Sequence, residues 1–69
     1  MSIFATISTR RKTLGISQND LAEMSGVSLA TIKNIERGVG NPSFETVKKI
    51  LSVLGMEISF KVRNPFDKQ

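Results

Sequence analysis

The hydrophobic period of this chain changes once, at Gly55, and that change constrains the fold more than any other feature. From Phe44 to Leu54 the apolar residues Phe44, Val47, Ile50, Leu51 and Leu54 recur every three or four positions. That is the stripe of an amphipathic helix. Beyond Gly55, Met56, Ile58, Phe60 and Val62 alternate with Glu57, Ser59, Lys61 and Arg63, the period of a half-buried strand. One strand in a helical chain leaves its backbone groups unpaired and its apolar face uncovered. Nothing else in the sequence reads as a partner strand. The expected partner is therefore a second copy, paired antiparallel about a two-fold axis. Met56, Ile58, Phe60 and Val62 then form the dimer interface and cover the fourth helices of both copies. The competing reading is a frayed, extended tail.

The remainder reads as short helices. Ile3, Phe4, Ile7 and Leu14 have roughly helical spacing, so a first helix is expected over 3–14, stopped by Gly15. Ser17 caps a second helix over 18–24, with Asp20 in its first turn. Ser25-Gly26-Val27 breaks it, and Ser28 caps a third helix over 29–37 with Ile32 and Ile35 pointing inward. Gly38-Val39-Gly40-Asn41-Pro42 is a loop by composition. Ser43 caps the fourth helix, 44–54. The expected fold is all-α, four to five helices, with one short C-terminal β-strand that pairs across a dimer. Its parts are a helical domain (1–55), a dimerisation strand (56–63) and a flexible tail (64–69) carrying Pro65 and Phe66.

At 69 residues the chain builds one small core, and domains of this size are often supplemented by disulfides, metals or oligomerisation. It has no Cys and no His, which removes disulfides and Cys/His zinc sites and leaves oligomerisation. Tyr and Trp are also missing, and the six acids (Asp20, Glu23, Glu36, Glu45, Glu57, Asp67) are scattered. The commonest general base and the best nucleophile are absent, so no enzyme, no cofactor and no small-molecule ligand are expected. Net charge is +4, which suits nucleic acid, with anionic membranes or acidic proteins as other takers. No apolar run approaches the ~20 residues of a membrane helix. Met1-Ser2-Ile3-Phe4 lacks the basic start and apolar core of a signal peptide, so the expected location is the cytoplasm.

Two short helices joined by a three-residue turn cross steeply. Close crossing requires a small side chain, supplied by Ala22, and the turn requires a residue tolerant of positive φ, supplied by Gly26. Leu21, Val27, Ile32 and Ile35 then bury toward one point. With these features in place, the stretch SQNDLAEMSGVSLATIKNIERG, Ser17 to Gly38, resembles the Cro/C1-type (XRE-family) helix-turn-helix. The likeness continues through NPSFETVKKILSVLG, Asn41 to Gly55, which is similar to the helix that follows the motif in that family.

The resemblance implies a lambda-repressor-like DNA-binding domain whose second motif helix enters the major groove. On that implication Ser28, Leu29, Ala30, Lys33 and Asn34 face bases or adjacent phosphates. Lys33 suits guanine O6 or N7, Asn34 suits adenine or a phosphate, and Leu29 and Ala30 suit a thymine methyl. Gln18 resembles the family's phosphate-gripping glutamine, placed at a helix N-terminus. Thr31, Arg37 and Asn41, with the backbone of 38–41, are further phosphate candidates, as are Arg10 and Lys12. Arg11 resembles an arginine that pairs with the glutamate near the end of the recognition helix, here Glu36. That pair, with Ala22 and Gly26, is structural. The bland readings stand beside these: Leu29 as surface packing, Lys33 as solvated charge, Gln18 as a bystander, and Ser28 as an N-cap in either case. Lys48 and Lys49 divide evenly between DNA and solvent.

A compact helix-turn-helix ending in a dimer-forming strand resembles, more narrowly, the HipB-like antitoxins that partner HipA-type kinase toxins, and the chain length agrees. This implies a dimeric repressor of its own operon that binds a palindromic operator and holds a toxin, with Phe66 as a contact candidate. Two alternatives stay open. One is a stand-alone phage-type repressor. The other is a toxin-neutralising interaction module that binds DNA incidentally.

Overall fold

Serine begins every helix of this protein, because its short hydroxyl satisfies backbone N–H groups that the first turn leaves without partners. In the computed structural model, which describes residues 2–66, the helices are α1 (Ile3–Thr13), α2 (Gln18–Ser25), α3 (Leu29–Glu36) and α4 (Phe44–Val53). Ser2, Ser17, Ser28 and Ser43 accept from the N–H groups of Ala5, Asp20, Thr31 and Thr46 at 2.9–3.1 Å. At α2 the cap is reciprocal, since Asp20 Oδ2 accepts from the Ser17 N–H at 2.9 Å. That backbone bond, with the Ser17 hydroxyl, holds the Asp20 carboxyl below its ordinary pKa. Gly26 closes α2 at φ 74°, a left-handed conformation that costs an L side chain ~1–2 kcal/mol.

The core is Ile7, Leu21, Ala22, Ile32, Ile35, Val47, Ile50, Leu51 and Leu54. α2 packs on both α3 and α4, while α1 packs on α3. Ala22 is buried on α2, where a larger side chain would hold the neighbouring helix away. Val27 and Leu29 are half-buried against the same cluster. Among the described residues no helix is long and apolar enough to cross a membrane, and no group of three metal-ligating side chains forms.

Two expectations require correction, and a third, the C-terminal strand, is not met within the single chain. First, of Ile3, Phe4, Ile7 and Leu14, whose spacing marked the first helix, only Ile7 is fully buried, while Ile3 and Leu14 are exposed. The inner face is completed by Arg10 and Arg11, three and four positions from Ile7 and hence on its side of the helix. Secondly, Phe44 stands half exposed at the start of α4, with the Lys48 ammonium 5.7 Å from its ring centroid. Thirdly, residues 56–64 form no strand ladder among the described residues. A ladder needs a neighbour, and within one chain none is present. Met56 N–H donates to the Leu51 carbonyl at 2.9 Å, and Met56 and Ile58 are half-buried against the core. Past them the alternation finds no cover, and Phe60, Val62 and Phe66 are 85%, 97% and 88% exposed. Met1 and residues 67–69, which begin the expected domain and end the expected tail, lie outside the described residues.

Candidate nucleic-acid interface

The position of α3 is set by one ion pair as much as by the core. Arg11 donates to Glu36 through Nε at 2.7 Å and Nη2 at 2.9 Å, and its Nη1 donates to the Ile16 carbonyl at 2.9 Å. Gln18 Nε2 adds a longer bond to Glu36 Oε1 at 3.3 Å. The side chains of Arg11 and Glu36 retain only 11% and 7% of their exposure, so the fork is largely withdrawn from water. The hydrogen bond from Arg11 is the main reason that Glu36 sits below the usual carboxylate pKa, against an opposing desolvation cost. The same bond raises Arg11. A planar guanidinium matches a carboxylate bidentately, so this pair fixes the C-terminal end of α3 against α1 in orientation as well as distance.

With both ends of α3 held, its outer face is rigid. Eight residues at ~1.5 Å each give a rod about 12 Å long, comparable to the ~12 Å width of the B-DNA major groove. Gln18, Ala30, Lys33, Asn34 and Arg37 border one shallow cleft beside this rod. Thr31, Asn34 and Asn41 border a second, together with Ile35, Val39, Gly40 and Pro42. Asn34 therefore belongs to both. No acidic residue lines either cleft, and the nearby Glu36 is already neutralised by Arg11. Among the described residues Lys33 and Arg37 thus meet no acidic partner, although Arg37 donates to the Asn34 amide oxygen.

Within that frame the candidate residues divide. Ser28 is the N-cap of α3, and its hydroxyl also bonds the Thr31 hydroxyl at 2.9 Å. Leu29 spends part of its surface on the core. Ala30 and Lys33 are exposed. Asn34 Oδ1 accepts from Arg37 Nη2. Arginine only donates, so the amide oxygen must face it, and Nδ2 remains as the free end of Asn34. Gln18 borders the cleft but already gives one N–H to Glu36. Lys12 is exposed at the end of α1 and borders neither cleft.

Arg10 lies elsewhere. Its Nε donates to the Leu54 carbonyl at 3.0 Å, so it caps the end of α4 and is not among the residues gathered at α3. Its i+3 relation to Ile7 was the signal that it faces inward. Val39, 46% exposed beside the second cleft, was not anticipated. Its N–H is engaged by the Asn34 carbonyl at 2.9 Å, and a loop valine between two glycines carries no periodic signal.

Comparison with known proteins agrees with this geometry. The Helix-turn-helix family model matches residues 7–61, most of the chain. Among curated relatives, an uncharacterized HTH-type transcriptional regulator of Haemophilus influenzae is 41% identical over 59 residues, 86% of this chain and 60% of that protein. The HTH-type transcriptional regulator PuuR of Escherichia coli is 36% identical over 53 residues, 77% of this chain and 29% of its own length. SlrR of Bacillus subtilis, another HTH-type transcriptional regulator, is 46% identical over 50 residues, 71% and 33% respectively. The matched region thus spans under two thirds of each of these relatives. The chain belongs to the Cro/C1-type helix-turn-helix family, a class of DNA-binding domain carried by transcriptional regulators.

Proposed function

We propose that this protein is a sequence-specific DNA-binding transcriptional repressor that acts as a homodimer. The observation that carries the reading is the outer face of α3: Lys33, Asn34, Arg37 and Gln18 converge on one cleft that no acid lines. Two such rods, related by a two-fold axis, enter successive major grooves about 34 Å apart. Lys33 and Asn34 read base edges. Arg37, Thr31, Asn41 and Gln18 meet phosphates. With one lone pair of its oxygen taken by Arg37, Asn34 keeps its N–H donors for the acceptor edges of guanine or thymine and a second lone pair for the donor–acceptor edge of adenine.

Selection from a random-sequence duplex pool, followed by anisotropy titrations across salt, tests the reading. A palindromic consensus is expected, with affinity falling steeply as salt rises because counterions are released from neutralised phosphates. Lys33→Ala should cost ~1–3 kcal/mol on the selected site and relax preference at one base position. Equal loss on all sequences would move Lys33 to the phosphates, and no selected consensus would defeat the proposal.

A narrower reading makes the protein the antitoxin of a HipA-type toxin–antitoxin module. Its support is the resemblance of the motif-plus-strand arrangement, together with Phe66, an exposed aromatic beyond the dimer segment and available to a protein partner. A kinase-like product encoded in the adjacent reading frame that co-purifies with this chain is the expected outcome. Co-purification without sequence-selective DNA retention would favour the interaction module instead.

A further inference from the structure

Where α4 gives way to the outgoing segment, Phe44, Leu51, Met56 and Ile58 border an open groove of mixed character, with Lys48, Ser52 and Glu57 as its polar members. The groove is covered on one side only. Met56 and Ile58 rest on the body, whereas Phe60 and Val62, of the same parity along the segment, project into water. Among the described residues no backbone–backbone hydrogen bond reaches Glu57 to Arg63. Each chain thus carries a half-covered apolar edge and an uncovered continuation of it.

We propose that a second copy of the chain completes this groove in one register, antiparallel with the two-fold axis through Ser59. This rests on the homodimer reading above and adds the register to it. Opposed residues on two antiparallel strands project to the same face, so a slip of one residue sets apolar against polar throughout. Only centres on a residue keep the apolar set together, and three of them set at least three of Met56, Ile58, Phe60 and Val62 against one another. A centre at Ile58 puts Val62 opposite Leu54, which caps α4 with φ −81° and ψ 2° and is not extended. A centre at Phe60 puts Met56 opposite the polar Asn64. A centre at Ser59 puts Ile58 opposite the partner's Phe60 and Met56 opposite the partner's Val62, so the exposed half of each edge covers the half-buried half of the other. On the outer face the same register sets Glu57 opposite the partner's Lys61, twice by symmetry, and Ser59 opposite itself. Apolar match selects this register, and its charges are compatible with it; a centre at Phe60 would also oppose Glu57 to a cation, Arg63, so charge alone does not decide.

The chain has no cysteine, which makes the test direct. Each register has its own self-opposed residue, and opposed Cβ atoms about 4.5–5.5 Å apart lie close to disulfide reach. Under mild oxidation Ser59→Cys should give a covalent dimer. Ile58→Cys and Phe60→Cys should each stay uncrosslinked alone but join when mixed. Lys61→Glu should weaken the dimer about tenfold through two like-charge pairs, and adding Glu57→Lys should restore it, by sedimentation equilibrium. A dimer in which Ile58→Cys or Phe60→Cys crosslinks to itself overturns the register and leaves the dimer standing. A dimer that crosslinks at none of the three overturns the interface. A wild-type chain that stays monomeric overturns the dimer reading beneath both.

Discussion

The helical body and the segment that leaves it share one chain and one kind of residue, yet they differ in completeness. From α1 to Leu54, Ile7, Leu21, Ile32, Ile35, Val47, Ile50, Leu51 and Leu54 are buried, and the Arg11–Glu36 pair is bidentate and shielded. From Met56 onward the apolar pattern is equally regular, but only its first two members find cover. The contrast teaches that patterning specifies which surface is to be buried and says nothing about who buries it. A helix can bury its stripe on three neighbours from the same chain. A segment outside any helix or ladder finds no such cover among the described residues, so its pattern stays mostly exposed.

The largest test of that contrast is a matched pair of truncations. Ile50→Ala, in the fully buried centre of α4, should cost ~2–5 kcal/mol, enough to unfold much of a domain this small, as read by loss of helical circular dichroism and the urea midpoint. Next in size, breaking the shielded fork with Arg11→Met strands Glu36 and should cost about 3 kcal/mol, with selective loss of DNA affinity in the fraction that remains folded. Gly26→Ala forces a side chain into the left-handed turn and should cost ~1–2 kcal/mol; an unchanged midpoint would mean that the turn relaxes.

A pH series sharpens the Glu36 assignment. The hydrogen bond from Arg11 depresses the Glu36 pKa in the folded state. The stability it supplies is therefore present above the unfolded value, about 4.3, and is lost as pH falls through the folded value. The stability difference between wild type and Glu36→Gln should shrink over that acid range, and a constant difference would show that the carboxylate's charge contributes nothing. The smallest effect closes the comparison. Phe60→Ser, at 85% exposure, should change the stability of the dilute chain by under ~0.5 kcal/mol, whereas at high concentration it should lower the dimer fraction.

Much of the body was legible in the sequence because its signals are local. Serines 17, 28 and 43 marked helix starts by hydroxyl chemistry, Gly26 marked a left-handed turn, and the stripe of α4 marked a core face. The N-cap at Ser2 escaped notice because α1 has almost no apolar stripe to start. That helix escaped in another way too, since two of its inward positions are arginines whose partners, the Leu54 carbonyl and the Glu36 carboxylate, lie 44 and 25 residues away. Glu36 was reached through resemblance alone, and Leu54 was not reached at all, because a backbone acceptor leaves no mark in sequence. The candidate interface was read as a set of independent contacts. The structure couples two of them, Asn34 and Arg37, and turns Gln18 partly inward, because neighbouring polar groups satisfy one another before any partner arrives.

Arg10 and Arg11 stand side by side on α1, and each grips a different part of the molecule. One holds the point where the chain departs from α4, and the other holds the C-terminal end of α3. Together they behave as a bracket between the outgoing segment and α3. If the chain dimerises as proposed, the angle between those two parts, and with it the spacing between two copies of α3, is written into residues that need never touch a partner.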